Sequence, residues 1–333
     1  MGNSVSDPAM PFLSAALDPA EAERKLDERL LDGEARVSLN GVRLVRHKPG
    51  RRCLIEYDVE LRLPGGHREE MTLLGKSRAR SLDCKGYRVQ RALREARFDE
   101  NSSHFCVPET FGVIPEFHMW LQRKVPGVPA TGLLAKPEGE DLARTISSLS
   151  DALHRAGITP LRSAHAVADE LRILLERLSK LAAEQPQLGP RLERLLVCCE
   201  HLGAQMPQPG TSGIHRDFYP DQVLVDGERL YLLDLDLYCE GDPALDIGNF
   251  LAHLTEYGLR ELGDPAALGG REEAMEDEFL RLSAGSSKAA VRAYSTLTLA
   301  RHVHISTLFP ERREFTGRLL ELCEERLGIP SLS

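Results

Sequence analysis

The sequence predicts an α+β protein of two lobes, a small antiparallel β-rich N-terminal lobe and a larger, mainly helical C-terminal lobe. Three observations carry this. A period-two run, CLIEYDVELRL, lies near the N-terminus, and Val125-Pro126-Gly127 breaks the chain after it. Beyond that break the apolar residues recur at helical spacing, interrupted by one hairpin signal. A chain of 333 residues also exceeds one ordinary core. The expected organisation is a flexible N-terminus over 1–17, a first lobe over 18–123, a hinge at 124–129 and a second lobe over 130–333.

Taken in order, Asp18-Pro19 is a helix start, and Gly33 is the matching stop. In the run from Cys53, the residues Ile55, Tyr57, Val59, Leu61 and Leu63 alternate with Glu56, Asp58, Glu60 and Arg62, the mark of a half-buried strand. Pro64-Gly65-Gly66 turns the chain, and EEMTLLGKS reads as the return strand. A helix is expected from Tyr87 to about Asp99, then short strands near Thr110–Val113 and His118–Arg123. Three helical stretches follow: DLARTISSLSDALHRAG, Ala164 to Ala183, and Pro190 to Gln205. Asp226-Gly227, between QVLV and RLYLLD, signals a hairpin. After Pro243 the pattern is helical almost to the end.

Composition excludes several classes. The formal charge of −9 argues against nucleic-acid binding by bulk electrostatics. Seven cysteines without CxxC spacing suggest neither a disulfide framework nor a zinc site. No apolar run reaches the roughly 18–20 residues that span a bilayer. MGNSVS fits a myristoylation pattern through Gly2 and Ser6, a short match that chance explains. A cytoplasmic protein without a membrane or nucleic-acid partner is expected.

The chemistry concentrates in HRDFYPDQVL, residues 215 to 224, and in LLDLD after it. Asp217 begins a loop that runs into a strand. Asp234 and Asp236 are two apart at a strand end, where strand geometry points both to one face. Carboxylates so close repel unless a cation lies near, and Mg²⁺ would suit them, completing its shell with water and phosphate oxygens. The amide of Gln222 opens the first hairpin strand and would face the same spot. Taken singly, each of these reads first as a solvated turn residue. Asp242 and Pro243 read as a helix cap and first turn, with Asp246 at the positive end of the dipole. His302 and His304 are two apart on one helix and should diverge; Cys198-Cys199 reads as helix. Gly75-Lys76-Ser77 resembles a P-loop tail, but Glu70 stands where that motif needs glycine.

The ordered set HRDFYPDQVLVDGERLYLLDLDLYCEGDPALDIGNFLAHL resembles the aminoglycoside phosphotransferase family, whose pattern is HGDxxxxN, then IDW or IDF, then GDPxxDLA. The resemblance covers about 40 residues and implies a protein-kinase-like fold that uses ATP or GTP with Mg²⁺. It implies Asp217 as catalytic base, Asp234 and Gln222 as metal ligands with Asp236 as a secondary one, and His215 and Asp246 as structural support. Gln222 stands where the family has Asn, and Arg216 where it has Gly. By the same resemblance Lys76 would pair with the nucleotide phosphates, Glu95 with Lys76, and Arg51 would reach phosphates beside Lys48 and Arg52. Backbone groups around Gln122, from Leu121 to Arg123, would meet the adenine. His154 would be a packing residue. The implied reaction moves the γ-phosphoryl group to a hydroxyl of a small molecule. The alternative is a nucleotide-binding pseudokinase with a regulatory or scaffold role. Eight residues from Asp234 to Asp242, with no Ala-Pro-Glu motif, argue against a protein kinase.

Overall fold

In the computed structural model, Cys53, Ile55, Tyr57, Val59 and Leu61 are buried while Leu54, Asp58 and Glu60 are half-buried, so the period read from sequence becomes one core-facing side of a strand. The structure describes residues 6–30, 36–62, 66–207, 210–283 and 285–330. The expected stop at Gly33, Leu63-Pro64-Gly65 and Gly2 lie outside them.

In chain order the elements begin with α1 (Leu13–Leu17), α2 (Pro19–Arg29), β1 (Arg36–Lys48), β2 (Arg52–Arg62), β3 (Arg68–Arg78), α3 (Lys85–Glu95), β4 (Phe105–Cys106), β5 (Thr110–Ile114) and β6 (Met119–Arg123). They continue with β7 (Val128–Pro129), α4 (Ala130–Leu134), α5 (Gly139–Arg155), α6 (Val167–Glu184), α7 (Gly189–Ala204), β8 (Ser212–Ile214), β9 (Val223–Asp226), β10 (Arg229–Leu232) and β11 (Cys239–Gly241). Four helices close the chain: α8 (Pro243–Leu262), α9 (Gly269–Leu282), α10 (Lys288–Thr307) and α11 (Thr316–Leu327). No described helix is long and apolar enough to cross a membrane.

The chain forms two compact units, Met1–Gly127 with Asp226–Asp236, and Val128–Val225 with Leu237–Ser333. The segment 226–236, expected in the second lobe, belongs to the first unit. The reason is backbone pairing: β10 runs parallel to β4 with Leu230 opposite Phe105, and the Leu230 N–H donates to His104 O at 2.8 Å.

The first unit is built on an antiparallel sheet of order β1-β2-β3-β6-β5. Residues paired directly across antiparallel strands share a face. Cys53, Ile55 and Tyr57 lie opposite Ser77, Gly75 and Leu73 on the core side, whereas Arg52 and Leu54 lie opposite Arg78 and Lys76 on the other. The core side is covered by the N-terminal residues. Residues 6–17 are not the flexible leader expected: Met10, Leu13 and Ala16 are buried with Leu26, Tyr57 and Val59, and the Tyr57 hydroxyl donates to Ala16 O at 2.9 Å. The few apolar residues among Asn, Ser and Pro suffice because they meet a preformed sheet face. Asp18 caps α2, accepting the Glu21 N–H at 2.9 Å.

The second unit is helical, with β8 paired to β11 and β7 to β9. Helices α8 and α10 are buried along most of their length and pack on each other. Asp242 caps α8 as expected, accepting the Ala244 N–H at 3.0 Å, with Pro243 in the first turn. His302 and His304 diverge on α10. His302 is 2 % exposed and its ring meets that of His253 edge-on, centroids 4.5 Å apart. Burial, then the charges of Arg301 and Arg312, push its pKa to about 3.

A histidine held neutral in the fold binds its proton only on unfolding, so this stability is present above the unfolded pKa near 6.5 and lost as pH falls toward 3. His302→Phe should therefore show a shallower loss of thermal midpoint between pH 7 and 4 than the wild type. Burial lowers His253 in the same direction, so some slope should persist. Parallel profiles would refute the assignment.

Candidate active site

On the free side of the first unit's sheet, the register Leu54–Lys76–Trp120 brings three strands' residues side by side. They line a cavity of about 120 Å³ together with Arg52, Arg78, Asp234 and Asp236. Lys76 Nζ stands 4.8 Å from the centre of the Trp120 ring, a cation–π contact. Asp236 accepts from Arg78 Nη2 at 2.6 Å. A side chain at Gly86, in the first turn of α3, would collide with the Asp236 carboxylate, so glycine lets the helix approach. Cys53 lines the same cavity, and burial pushes its thiol up to about 11.

Asp234 and Asp236 do converge, but not by strand alternation. Strand β10 ends at Leu232, Asp234 adopts φ +54°, and Leu235–Leu237 form a 3-10 turn. A left-handed aspartate is uncommon and costs about 1–3 kcal/mol. Among the described residues no group of three or more His, Cys, Asp or Glu forms a ready metal cage. Two carboxylates beside a lysine nevertheless fit Mg²⁺, which takes much of its shell from water and phosphate.

In the second unit, the loop from β8 to β9 carries His215, Arg216, Asp217 and Gln222. Asp246, fully buried in the first turn of α8, holds its start: Oδ2 accepts the His215 N–H at 2.8 Å and Oδ1 the Arg216 N–H at 2.7 Å. The same carboxylate takes a bond from His154 Nε2 at 2.9 Å. One helical turn on, Asn249 Nδ2 donates to Phe218 O at 2.8 Å. Asp217 thus lies between two backbone anchors fixed to one helix face, and its side chain is half-buried. Arg216 adopts φ +71°, a region that favours glycine, and the paired N–H groups hold it there. His215 is buried with its ring 5.8 Å from that of Phe218. Gln222 is buried at the end of a 3-10 turn, its N–H donating to Tyr219 O at 2.9 Å.

Several expectations are corrected. Glu95 does not meet Lys76: it ends α3, its side chain is 72 % exposed, and its ion pair is with Arg91. The helix stops there because Arg97 turns left-handed at φ +72°. Leu121 and Gln122, expected near a nucleobase, lie in an inner strand paired with both β3 and β5, and the Arg123 N–H donates to Glu109 O at 2.8 Å. The Gln122 side chain is also engaged, by Gln90 at 3.3 Å. Arg51 sits on the exposed β1–β2 turn and lines a different cavity from Lys76, whereas Arg52 lines both. His154, expected only to pack, bonds Asp246. Sequence reading missed Trp120, Arg78 and Asn249. Asn249 was legible as a polar residue three places after Asp246, on the same helix face; for the other two, only strand register gives the signal.

A model of the phosphotransferase enzyme family matches residues 87–281. The fold is shared with a choline/ethanolamine kinase family protein from Mesorhizobium loti, at 14 % identity over 93 % of this chain and 95 % of that one, TM-score 0.61. A thermostable mutant of the aminoglycoside phosphotransferase APH(4)-Ia aligns at 16 % identity over 92 % and 98 %, TM-score 0.60. A glucosamine kinase in complex with glucosamine, ADP and inorganic phosphate aligns at 14 % identity over 93 % and 86 %, TM-score 0.61. No curated protein matches by sequence.

Asp246→Ala strands two backbone donors and the His154 ring, and should cost about 3 kcal/mol in chemical denaturation. Asp246→Asn keeps one acceptor oxygen and should cost less. Equal stability of wild type and the alanine variant would show that the clamp is not structural.

Proposed function

The chain belongs to the phosphotransferase enzyme family, and on that premise we propose that it is a small-molecule kinase using ATP and Mg²⁺, with Asp217 as its base. The observation that carries this reading is the cavity of the first unit, lined by one lysine, three arginines and three carboxylates, Asp83, Asp234 and Asp236. Lys76 and Arg52 would bind and orient the phosphates. Asp234 would hold the metal, with Asp236, already neutralised in part by Arg78, as a weaker ligand. Mg²⁺ held there would supply neutralisation of the charge on the nucleotide phosphates.

Asp217 would orient the acceptor hydroxyl and take its proton. Its loop needs no movement of its own for this, since Asp246 and Asn249 fix the backbone on both sides. The acceptor is a hydroxyl of a sugar, amino alcohol or aminoglycoside-like molecule. A nucleotide-binding pseudokinase is the second reading, favoured by one fact: Lys76 makes no ion pair among the described residues and rests on Trp120.

Trp120 is the chain's single tryptophan, so nucleotide binding should be visible in its emission. Asp217→Asn should lower acceptor-dependent turnover by on the order of 10²–10⁴ while leaving the nucleotide titration unchanged. Asp234→Ala should remove the Mg²⁺ dependence of that titration. Nucleotide binding with no turnover across a panel of sugar, amino alcohol and aminoglycoside acceptors would select the pseudokinase. No binding by folded protein would reject both readings.

A further inference from the structure

An acceptor served by Asp217 would meet the charges that the second unit places around its loop. One stripe of α8 leads away from that loop: beyond Asn249, His253 stacks on Tyr219 with ring centroids 4.6 Å apart, and Glu256 follows. Helix α10 supplies Arg301, whose Nη2 donates to Asn249 Oδ1 at 2.6 Å. Helix α6 supplies Glu170, 3.2 Å from Arg301. Arg177 lies two helical turns beyond Glu170 on the same face of α6, with buried Leu174 between them.

Partners separate the two signs of charge. The buried carboxylates are engaged: Glu170 by His165 at 2.6 Å and by Arg301, Glu256 by Arg260 at 3.1 Å and by Arg312 at 3.7 Å. Arg177 is half-buried, and its side chain makes no ion pair or hydrogen bond among the described residues; nor does that of Arg216, beside Asp217. A guanidinium partly out of water without a partner carries a desolvation cost that an anion would offset. Burial, then the charge of Arg301, push Arg177 down, while Glu170, Glu176 and Asp217 act the other way, so Asp217 lies within electrostatic reach of it. Arg177 in turn helps burial to hold His302 and His304 down, which marks the region between α6 and α10 as electropositive.

We infer that the acceptor carries an oxyanion group, a carboxylate or a phosphate, on the same molecule as the hydroxyl that Asp217 serves, and that Arg177 is the residue that selects it. A guanidinium fork matches two oxygens of such a group at once. The inference rests on the phosphotransferase reading and narrows it. A sugar bearing an acid group fits, whereas a polycationic acceptor does not, because the buried carboxylates it would need are already taken. The transfer is unchanged: the acceptor oxygen bonds the γ-phosphorus, the bond from that phosphorus to the bridging oxygen breaks with its electron pair leaving on the diphosphate, and the hydroxyl proton goes to Asp217.

Rates of ADP release test this on the full chain with ATP and Mg²⁺, using acceptors that differ in charge on one ring: glucose, glucuronate, glucose 6-phosphate and glucosamine, with glycerate and ethanolamine as a shorter acid and amine pair. The acids should exceed their neutral and amine counterparts in kcat/KM by at least about tenfold, the effect of one hydrogen bond between charged groups. Which acid leads tells carboxylate from phosphate. Arg177→Gln should remove that preference through KM and leave glucose unchanged, and Arg177→Glu should turn it toward the amines. The preference is a ratio measured on one preparation, so partial misfolding cancels from it, and Trp120 emission should show the wild-type nucleotide response. Turnover of amines ahead of acids, no preference at all, or an acid preference that survives both Arg177 variants would overturn the inference and leave the phosphotransferase reading standing. Nucleotide binding without turnover of any acceptor would sink that reading and the inference with it.

Discussion

Asp246 has no exposure to solvent, yet its two oxygens accept three hydrogen bonds: from the backbone of His215, from the backbone of Arg216 and from the His154 ring. A buried carboxylate is tolerated when its lone pairs are satisfied, and here the satisfying groups are the loop that carries Asp217. The same hydrogen bonds therefore offset both the cost of burying the charge and the cost of bending Arg216 into a left-handed conformation. Asn249 completes the arrangement from the next turn of α8. Its own amide oxygen is held by Arg301 at 2.6 Å, and Arg301 reaches Glu170, which binds His165 at 2.6 Å. A loop anchored to a central helix in this way can present a reactive side chain without being a rigid element itself.

The first unit solves a different problem with a two-sided sheet. One side is closed by α1, α2 and the apolar residues before them. The other keeps charged residues, and strand register alone decides which of them meet. Lys76 ends up against an indole ring rather than a helix glutamate, because α3 places Tyr87 and Gln90 toward the sheet and leaves Glu95 at its exposed end. A ring face attracts an ammonium group through its quadrupole, so Trp120 takes the place on Lys76 that a helix carboxylate was expected to fill.

The distribution of charge follows the same division. Asp234 and Asp236 line the cavity of Lys76, whereas Arg51, Arg80 and Lys85 line the neighbouring surface, where the carboxylate is Asp83. The net acidity of the chain conceals this, since a sum over 333 residues says little about a few side chains on one hairpin and one connection.

By itself the sequence determined the α+β class, the alternating strand at Cys53 to Leu61, the helix starts at Asp18 and Asp242, and the family likeness of HRDFYPDQVL through GDPALDIGNF. Those signals are local: period, caps and residue order survive without knowledge of neighbours. Tertiary structure decided the rest. Backbone pairing of β10 with β4 drew residues 226–236 into the first unit, a non-local bond with no local signature. The inner position of β6 paired Leu121 and Gln122 on both sides, with β3 and β5. A left-handed turn at Asp234, not strand period, set the two carboxylates on one cavity, and a few apolar residues in a polar leader became core because a sheet face was there to receive them. Each of these depends on which strands lie side by side, and periodicity along one strand carries no information about its neighbour.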